Sequence, residues 1–308
     1  MTQETIPQKR STTPLVSVLC LAYNHESYIE QCINGFVMQQ CSFPFEVIIH
    51  DDASIDKSAD IIQKYCSRYP ELFVPILQHE NQFSKHVPIT TNHMFPIARG
   101  KYIAFCEADD YWVDPLKLQK QVNFMESHPD YSVCVHGCRL YDEQQQSFVD
   151  NQYYMNTPDT IGILDLFGRP FNIASSSLFF KRNAQAEHKR QMMGDMVNIN
   201  GDTISLFLYA EQGKIKFIPE EMSVYRLGSG IWSTGNWYNR DLNSLITLSR
   251  LYGIIEDEEA RQMINGVLLS IKRGLHNIMD DYYRVLSSKP YRLGQTLLRP
   301  IRRLVGMF

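Results

Sequence analysis

The chain has 308 residues, of which 44% are hydrophobic and 21% are charged. This composition is typical of globular proteins and too hydrophobic for a disordered chain, and the length suits one large domain or one domain with an extension. The formal net charge of −4 provides no overall basic surface, so we expect no nucleic-acid partner.

The start of the chain carries no sign of export. Residues 1–14 are polar and lack the apolar core of a secretory signal, and no later stretch is apolar for long enough to span a bilayer. These features predict a flexible polar leader and a cytoplasmic protein. The seven cysteines form no C-x-x-C pair, which favours reduced, buried thiols over a zinc or redox site.

Strands and helices alternate through the first part of the chain. Apolar runs too short for helices predict strands at residues 15–22, 45–50, 73–77 and 101–106. Apolar residues at helical spacing predict helices that begin near Glu26, Asp56 (capped by Ser54) and Lys117. Such alternation predicts an α/β fold with a mainly parallel, Rossmann-like central sheet flanked by helices.

The second part of the chain turns from mixed to helical. We predict further strands at residues 131–136, 176–180 and 215–219, and a helix from Asp202 to Glu211. Beyond residue 239 the pattern is helical and has no strand signal. The chain is therefore divided into a leader over residues 1–14, an α/β domain over residues 15–239 and a helical extension over residues 240–308.

Two acidic clusters follow predicted strands. Asp51 and Asp52 come after the second strand, and the fourth is followed by residues 107–110, Glu-Ala-Asp-Asp. In parallel sheets the ligand site lies beyond the carboxyl ends of the strands, so both clusters should meet at one edge. Carboxylates there would hold a hard divalent cation, with Glu107 and Asp109 as candidate ligands. The alternative is a solvated acidic loop.

Four segments carry a resemblance to a known family. "LCLAYNHESYI", "VIIHDDASIDKSADII", "ARGKYIAFCEADDYWVDPLKLQKQ" and "NGDTISLFLYAEQGKIKFIPEEMSVYR" resemble, in order and spacing, the successive signatures of family 2 glycosyltransferases. The resemblance covers about residues 15–235. It implies a GT-A fold with a donor nucleotide half over residues 15–112 and an acceptor half over residues 113–239. It also implies transfer of a sugar from a nucleotide diphosphate donor, with inversion at the anomeric carbon.

The resemblance also implies roles for single residues. The residues that match the donor nucleotide site are Ala22, Tyr23, Asn24, Asp52, Glu107 and Ala108. Asp109 takes the place of the principal ligand of Mn²⁺ or Mg²⁺, and Asp202 that of the general base, which removes the proton of an acceptor hydroxyl. Two alternatives stay open, since Tyr23 could pack in the core and Asp202 could cap its helix.

The chain departs from the family's common residues at Leu21, Ala53, Thr91, Glu107 and Gly201. The family often has arginine at the position of Thr91, and we consider Lys85 as a substitute for that charge. Trp112 and Trp232 are candidates for lid or acceptor contacts, because Trp232 lies in a glycine-rich loop and Trp112 follows the acidic cluster. For both tryptophans the alternative is packing in the core.

Two other functional classes fit the sequence less well. A nucleotidyltransferase would carry a glycine-rich basic loop after the first strand, where residues 22–26 read Ala-Tyr-Asn-His-Glu. A non-catalytic binder would not need Asp52, Asp109 and Asp202 together. The Q-x-x-R-W motif of processive synthases is absent, so we expect single additions. The expected donor is a nucleotide diphosphate sugar, with UDP favoured, and the acceptor a glycan or lipid-linked sugar in cell-surface polysaccharide or glycolipid assembly.

The C-terminal tail has a charge pattern of its own. Residues 282–308 contain six Lys and Arg residues and no Asp or Glu. From Leu293 onward, apolar residues recur at helical spacing opposite Arg302 and Arg303, although Pro300 should kink a helix there. This pattern predicts an interfacial anchor on an anionic membrane, at the inner face of the plasma membrane. The alternative is that the tail packs on the protein itself or on a partner.

Overall fold

The computed structural model describes residues 13–151, 157–167, 173–194, 201–229 and 237–287. Within these ranges, a ten-stranded sheet has the order β3-β2-β1-β4-β9-β6-β10-β5, with β7 beside β6 and β8 beside β10. The leader up to residue 12 and the tail from residue 288 lie outside the described residues, and so does Trp232.

The first half of the sheet is parallel. Its strands are β1 (Val16–Ala22), β2 (Phe45–Asp51), β3 (Phe73–Leu77) and β4 (Tyr102–Glu107). β1 pairs with both β2 and β4, and β2 pairs with β3. These strands are mostly apolar because both of their faces are covered by helices.

The second half of the sheet is mixed. Its strands are β5 (Tyr111–Trp112), β6 (Tyr131–Asp142), β7 (Ser147–Val149), β8 (Thr160–Ile161), β9 (Phe179–Lys181) and β10 (Lys214–Leu227). The long strands β6 and β10 pair in parallel, whereas the short strands β5, β7, β8 and β9 pair antiparallel with their neighbours. Most of the paired residues in the sheet are therefore in parallel pairs of strands, as the sequence predicted.

Seven α-helices cover the two faces of the sheet in the described part of the chain. They are α1 (Ile29–Val37), α2 (Ser58–Arg68), α3 (Lys117–Ser127), α4 (Ala184–Met192), α5 (Gly201–Ala210), α6 (Trp237–Ile254) and α7 (Glu258–Ser287). Residues of α1, α2 and α3 join one hydrophobic core, and residues of α4, α5, α6 and α7 join the other. Across the described ranges, no helix has both the length and the apolarity needed to cross a bilayer.

The sequence patterns predicted most of the strands and helices, but not all of their first and last residues. The predictions for β3 and α3 agree with the structure, whereas β6 and β10 extend well beyond the predicted strands. The strand predicted at residues 176–180 is wrong at its start, because Ser175–Ser177 forms a 3₁₀ turn. Ser54 does not cap α2, since its hydroxyl donates to the Asp51 carboxylate.

All seven cysteines are free, and only Cys41 and Cys66 are half-buried rather than buried.

A buried ion pair joins α4 and α5 to the C-terminal helices. Lys189 Nζ lies 2.7 Å from Glu211 Oε2, and both side chains are nearly inaccessible to solvent. The other carboxylate oxygen of Glu211 accepts the backbone N–H groups of Glu256 and Asp257, where α6 gives way to α7. Glu211 therefore satisfies three donors at this junction.

Replacing Glu211 with alanine is expected to lower the free energy of unfolding by about 3 to 5 kcal/mol, because it leaves a buried ammonium group without its partner. Chemical denaturation measures this loss. Glu256→Ala is the matched control, since Glu256 contacts the same Lys189 ammonium but is largely exposed, and its loss should cost below about 1 kcal/mol. Equal costs for the two variants would show that the buried pair does not hold the junction.

Candidate active site

The parallel strands bring the acidic residues to one edge of the sheet. The ends of β1, β2 and β4 are level, since Ala22 lies opposite Asp51 and Leu21 lies opposite Glu107. β10 runs in the same direction as these strands, through β6 and the antiparallel β9. The helix that precedes β10 is α5, so its first turn, with Asp202, lies at the same edge.

Side-chain alternation along β4 then selects one face of the sheet. Ile103 and Phe105 pack in the core that includes α5, so Glu107, two residues further along β4, points to the same side. The Glu107 side chain is open to solvent. Its pKa is nevertheless raised by the desolvating protein around it, and further by the charges of Asp109 and Asp202. The structure thus brings these three carboxylates within electrostatic range of one another.

Asp109 is buried, in contrast to the exposed Glu107. Ala108, between the two acids, is fully buried, and its N–H donates to the Leu21 carbonyl, which ties the acidic segment to the end of β1. Asp109 Oδ2 accepts the Ser229 hydroxyl at 3.0 Å. The backbone of the acidic segment is therefore fixed by β1, and the carboxylate of Asp109 is oriented by Ser229.

Asp110 has a structural contact instead. It is buried, and its Oδ1 accepts the Arg226 N–H at 3.0 Å, which fixes the end of β10 against the acidic segment. Burial raises the pKa of Asp110 well above its usual value, and the charge of Asp109 adds to this effect. The guanidinium of Arg226 forms an ion pair with Glu143 and lies over the ring of Tyr28.

The loops after β1 and β2 are joined by reciprocal hydrogen bonds. The Asn24 N–H donates to the Ser54 hydroxyl at 2.8 Å, and Asn24 Oδ1 accepts the Ile55 N–H at 2.9 Å. Asn24 and Ala53 both adopt left-handed backbone, with φ of 57° and 60°. Asparagine tolerates this region better than alanine does, so Ala53 is the more strained of the two residues. The Asn24 side chain thus shapes the loop rather than projecting freely from it.

Asp52 orients the segment after β3. Its two carboxylate oxygens accept the N–H groups of Gln82 and Phe83, at 2.7 and 3.0 Å, and its side chain is buried. Phe83 and Tyr23 remain open to solvent at this edge, with 38% and 41% of their surface exposed. The core-packing alternative for Tyr23 is therefore wrong. Phe83 was not identified from the sequence, where its only signal was a lone aromatic residue in a polar stretch.

Asp202 is the second residue of α5. Its Oδ1 accepts the N–H of Thr203 at 2.7 Å, and its side chain is open to solvent. Desolvation by the surrounding protein raises its pKa, while hydrogen bonds from Thr203 and the charge of Arg190 oppose the rise. A raised pKa increases the proton affinity of the carboxylate, which acts as a general base only while it stays ionised at the working pH.

Tyr225 is a site residue that the sequence did not single out. Burial raises the pKa of its hydroxyl far above the usual value, and the charges of Asp110, Glu107, Asp109 and Asp202 raise it further. The phenol therefore lies within electrostatic range of all four carboxylates and stays protonated. Its signal in the sequence was the Tyr225-Arg226 pair that ends the last matching segment.

One further expectation, for Trp112, is not met by the structure, and another, for Lys85, stays a prediction. Trp112 is 2% exposed, its Nε1–H donates to the Ser176 carbonyl, and its ring packs edge-on against Phe36. It is a core residue and is not available to contact an acceptor, because β5 directs it into the sheet–helix interface. Lys85 forms an ion pair with Glu80 on an exposed loop, so its charge is already partly neutralised.

The carboxylates at this edge are the kind of ligand that a hard divalent cation binds. Glu107 and Asp109 supply carboxylate oxygens, and the rise that Asp109 causes in the pKa of Glu107 indicates mutual repulsion that a cation would relieve. Mg²⁺ typically takes one or two carboxylates and completes its shell with water and substrate phosphates. Among the described residues, no group of three or more His, Cys, Asp or Glu side chains is arranged to hold a metal ion.

The chain is similar to known proteins over much of its length. Residues 17–186 match the family described as glycosyl transferase family 2. An uncharacterized protein of Mycobacterium tuberculosis is 34% identical over 262 residues, which cover 82% of this chain and 72% of that protein. The UDP-Glc:alpha-D-GlcNAc-diphosphoundecaprenol beta-1,3-glucosyltransferase WfaP of Escherichia coli is 35% identical over 113 residues, covering 37% of this chain and 42% of WfaP.

A solved structure shares the fold. TarS of S. aureus, residues 1–349, in complex with UDP-GlcNAc, superposes with a TM-score of 0.60 at 16% sequence identity, covering 82% of this chain and 71% of that chain. At this identity the likeness concerns the fold alone, and it agrees with the predicted sheet and flanking helices.

Proposed function

This chain belongs to glycosyl transferase family 2 and is a glycosyltransferase with the GT-A fold, and we propose that it is inverting, metal-dependent and non-processive. In this proposal it moves one sugar from a nucleotide diphosphate donor to an acceptor hydroxyl. The observation that carries the proposal is the meeting of Glu107, Asp109 and Asp202 at one edge of the sheet, since their charges act on one another. One part of this acidic edge would serve the donor diphosphate and the other the acceptor.

The donor nucleotide would bind beside the loops after β1, β2 and β3. Asp52 holds Phe83 in place through a backbone hydrogen bond, and Tyr23 and Phe83 present partly exposed rings on which a flat base can stack. Ala22, Asn24, Glu107 and Ala108 would complete the donor site. A UDP-sugar is favoured, since WfaP is named for UDP-Glc and TarS was solved with UDP-GlcNAc.

Asp109 and Glu107 would hold Mn²⁺ or Mg²⁺, with Asp109 as the principal ligand. When bound, the cation neutralises the charge that develops on the leaving diphosphate. Ser229 and the buried position of Asp109 fix its carboxylate before any ligand arrives. Preorganisation of this kind lowers the cost of binding a doubly charged ion.

Asp202 would act as the base in a single displacement. It takes the proton of the acceptor hydroxyl while that oxygen bonds to the anomeric carbon, and the carbon–oxygen bond to the diphosphate breaks on the opposite face. This geometry inverts the anomeric configuration. Tyr225 contributes a protonated hydroxyl within electrostatic range of the four carboxylates, and this hydroxyl would be available as a hydrogen-bond donor.

The acceptor is proposed to be a glycan or lipid-linked sugar, used in the assembly of cell-surface polysaccharide or glycolipid. WfaP is named for an acceptor carried on diphosphoundecaprenol. A lipid-linked acceptor would suit a cytoplasmic enzyme held at the inner face of the plasma membrane by its basic tail. We also propose that the catalytic domain ends at residue 239 and that its donor half ends at residue 112.

A donor panel tests the proposed function directly. The protein is incubated with MnCl₂ and each of UDP-glucose, UDP-galactose, UDP-GlcNAc, UDP-glucuronate, GDP-mannose and dTDP-rhamnose, and the melting temperature and the release of nucleoside diphosphate are measured. An enzyme should show a thermal shift with one nucleotide and slow, EDTA-sensitive hydrolysis of the matching sugar. A thermal shift without any nucleotide release would instead identify a non-catalytic binder.

A further inference from the structure

A buried arginine lies under the first turn of α5. Arg190, near the end of α4, is 2% exposed. Its Nη1 donates to the Gly201 carbonyl at 3.1 Å and to the Ser205 hydroxyl, and its Nη2 donates to Thr90 Oγ1 at 2.7 Å. The guanidinium thus connects the first residue of α5 to the π-helix Thr90–Met94.

This guanidinium is in an unfavourable position unless a negative charge compensates it. It forms no ion pair with any carboxylate that the structure describes, and its Nε is buried without a hydrogen-bond partner there. Burial lowers the pKa of Arg190 to about 10. A positive charge beside the N-terminus of a helix is also repelled by the helix dipole.

Asp202 is the nearby charge that can compensate for this cost. It follows Gly201 directly, so its backbone is held by the same turn that Arg190 contacts. The interaction is mutual, because the charge of Arg190 lowers the pKa of Asp202 and the charge of Asp202 raises that of Arg190. The side chain of Asp202 reaches solvent, whereas that of Arg190 lies behind it in the core.

We propose that Arg190 is a positioning residue for Asp202: it fixes the first turn of α5 against the π-helix and provides the positive charge that keeps Asp202 an ionised base. This proposal rests on the proposed function, in which Asp202 accepts the acceptor's proton. Arg190 is buried behind that turn and is not proposed to contact donor, acceptor or metal. It would therefore act on the rate of transfer and not on nucleotide affinity.

The test is a double-mutant cycle between Arg190 and Asp202. Arg190→Met and Arg190→Lys are made in the full chain, alone and combined with Asp202→Asn. The readouts are the release of nucleoside diphosphate in MnCl₂ from the fastest donor of the panel, the dissociation constant of that nucleoside diphosphate, and the melting temperature. Arg182→Met is the matched control, because Arg182 is a partly buried arginine that bonds to Glu187 of α4 and not to α5.

Arg190→Met is expected to lower the hydrolysis rate at least about tenfold while the nucleotide dissociation constant stays within roughly twofold. In the Asp202→Asn background the same substitution should change the rate less than about threefold, since the base is already lost. Arg190→Lys, which keeps the charge, should recover part of the rate, and Arg182→Met should leave it near wild type.

Equal rate losses in both backgrounds would overturn the proposal, because they would show a structural role independent of Asp202. A loss of nucleotide affinity that matches the loss of rate would also overturn it. If Arg190→Met fails to fold, the cycle is read from Arg190→Lys, whose rate must then fall more in wild type than in Asp202→Asn. If the proposed function itself is wrong, the Asp202→Asn single variant will have the wild-type rate. This result distinguishes failure of the proposed function from failure of the proposal for Arg190.

Discussion

Asp109→Ala is expected to abolish metal-dependent sugar transfer and leave the fold intact. The substitution removes the proposed principal oxygen ligand of the cation, so the leaving diphosphate would lose its counter-charge. The fold should tolerate the change because Asp109 repels Glu107 and Asp110, whose pKa values it raises, and its only described hydrogen-bond donor is the Ser229 hydroxyl. Activity in MnCl₂ and the melting temperature are the two measurements.

Asp110→Asn is the matched control for this prediction. Asp110 is the next residue in the same acidic segment, but its Oδ1 accepts the Arg226 N–H, and an asparagine oxygen can accept the same bond. This variant should keep most of its activity and its melting temperature. Near-normal transfer by Asp109→Ala in manganese would show that the metal is not held at this position.

Asp202→Asn is expected to keep nucleotide binding and to lose transfer by a factor of roughly 10² to 10⁴, the usual range for a general base. Asparagine retains an oxygen that can accept the Thr203 N–H, so the first turn of α5 should remain intact. The affinity for the nucleoside diphosphate should therefore stay unchanged, while the rate at which it is released from the donor sugar falls. Calorimetry measures the affinity for the nucleotide, and a steady-state assay measures the rate.

The helix-capping alternative for Asp202 gives the opposite pattern. If the carboxylate only caps α5, Asp202→Asn should have normal activity, and Asp202→Ala should lower the melting temperature through loss of the cap. If it is the base, both variants lose the rate, and only Asp202→Ala loses stability as well. A normal rate for Asp202→Asn would therefore assign the residue to capping alone.

The sequence by itself determined the elements whose signals are local. The bounds of β3 and α3 follow from apolar runs and helical spacing within a few residues. The position of Glu107 at the sheet edge followed as well, because the carboxyl ends of parallel strands share an edge. The family followed from four ordered segments, each of which combines such a strand end with polar residues.

Only the tertiary structure decided which side chains meet. Tyr23 and Trp112 are both aromatic residues next to strand ends, yet Tyr23 is exposed and Trp112 is buried against α1. Asp52 could not be assigned from its neighbours, since its partners Gln82 and Phe83 lie beyond β3. Strand order and the antiparallel insertion of β9 determine these contacts, and no short window of sequence encodes them.

The same reason explains why Arg190 and Tyr225 were not found from the sequence. Arg190 contacts Thr90, one hundred residues earlier in the chain, and Tyr225 lies among carboxylates that come from β4, the segment after it and α5. Neither residue stands out locally, since arginine in a helix and tyrosine in a strand are common. The roles proposed for them depend on burial and on charged residues distant in the sequence, which come together only once the sheet and its helices have assembled.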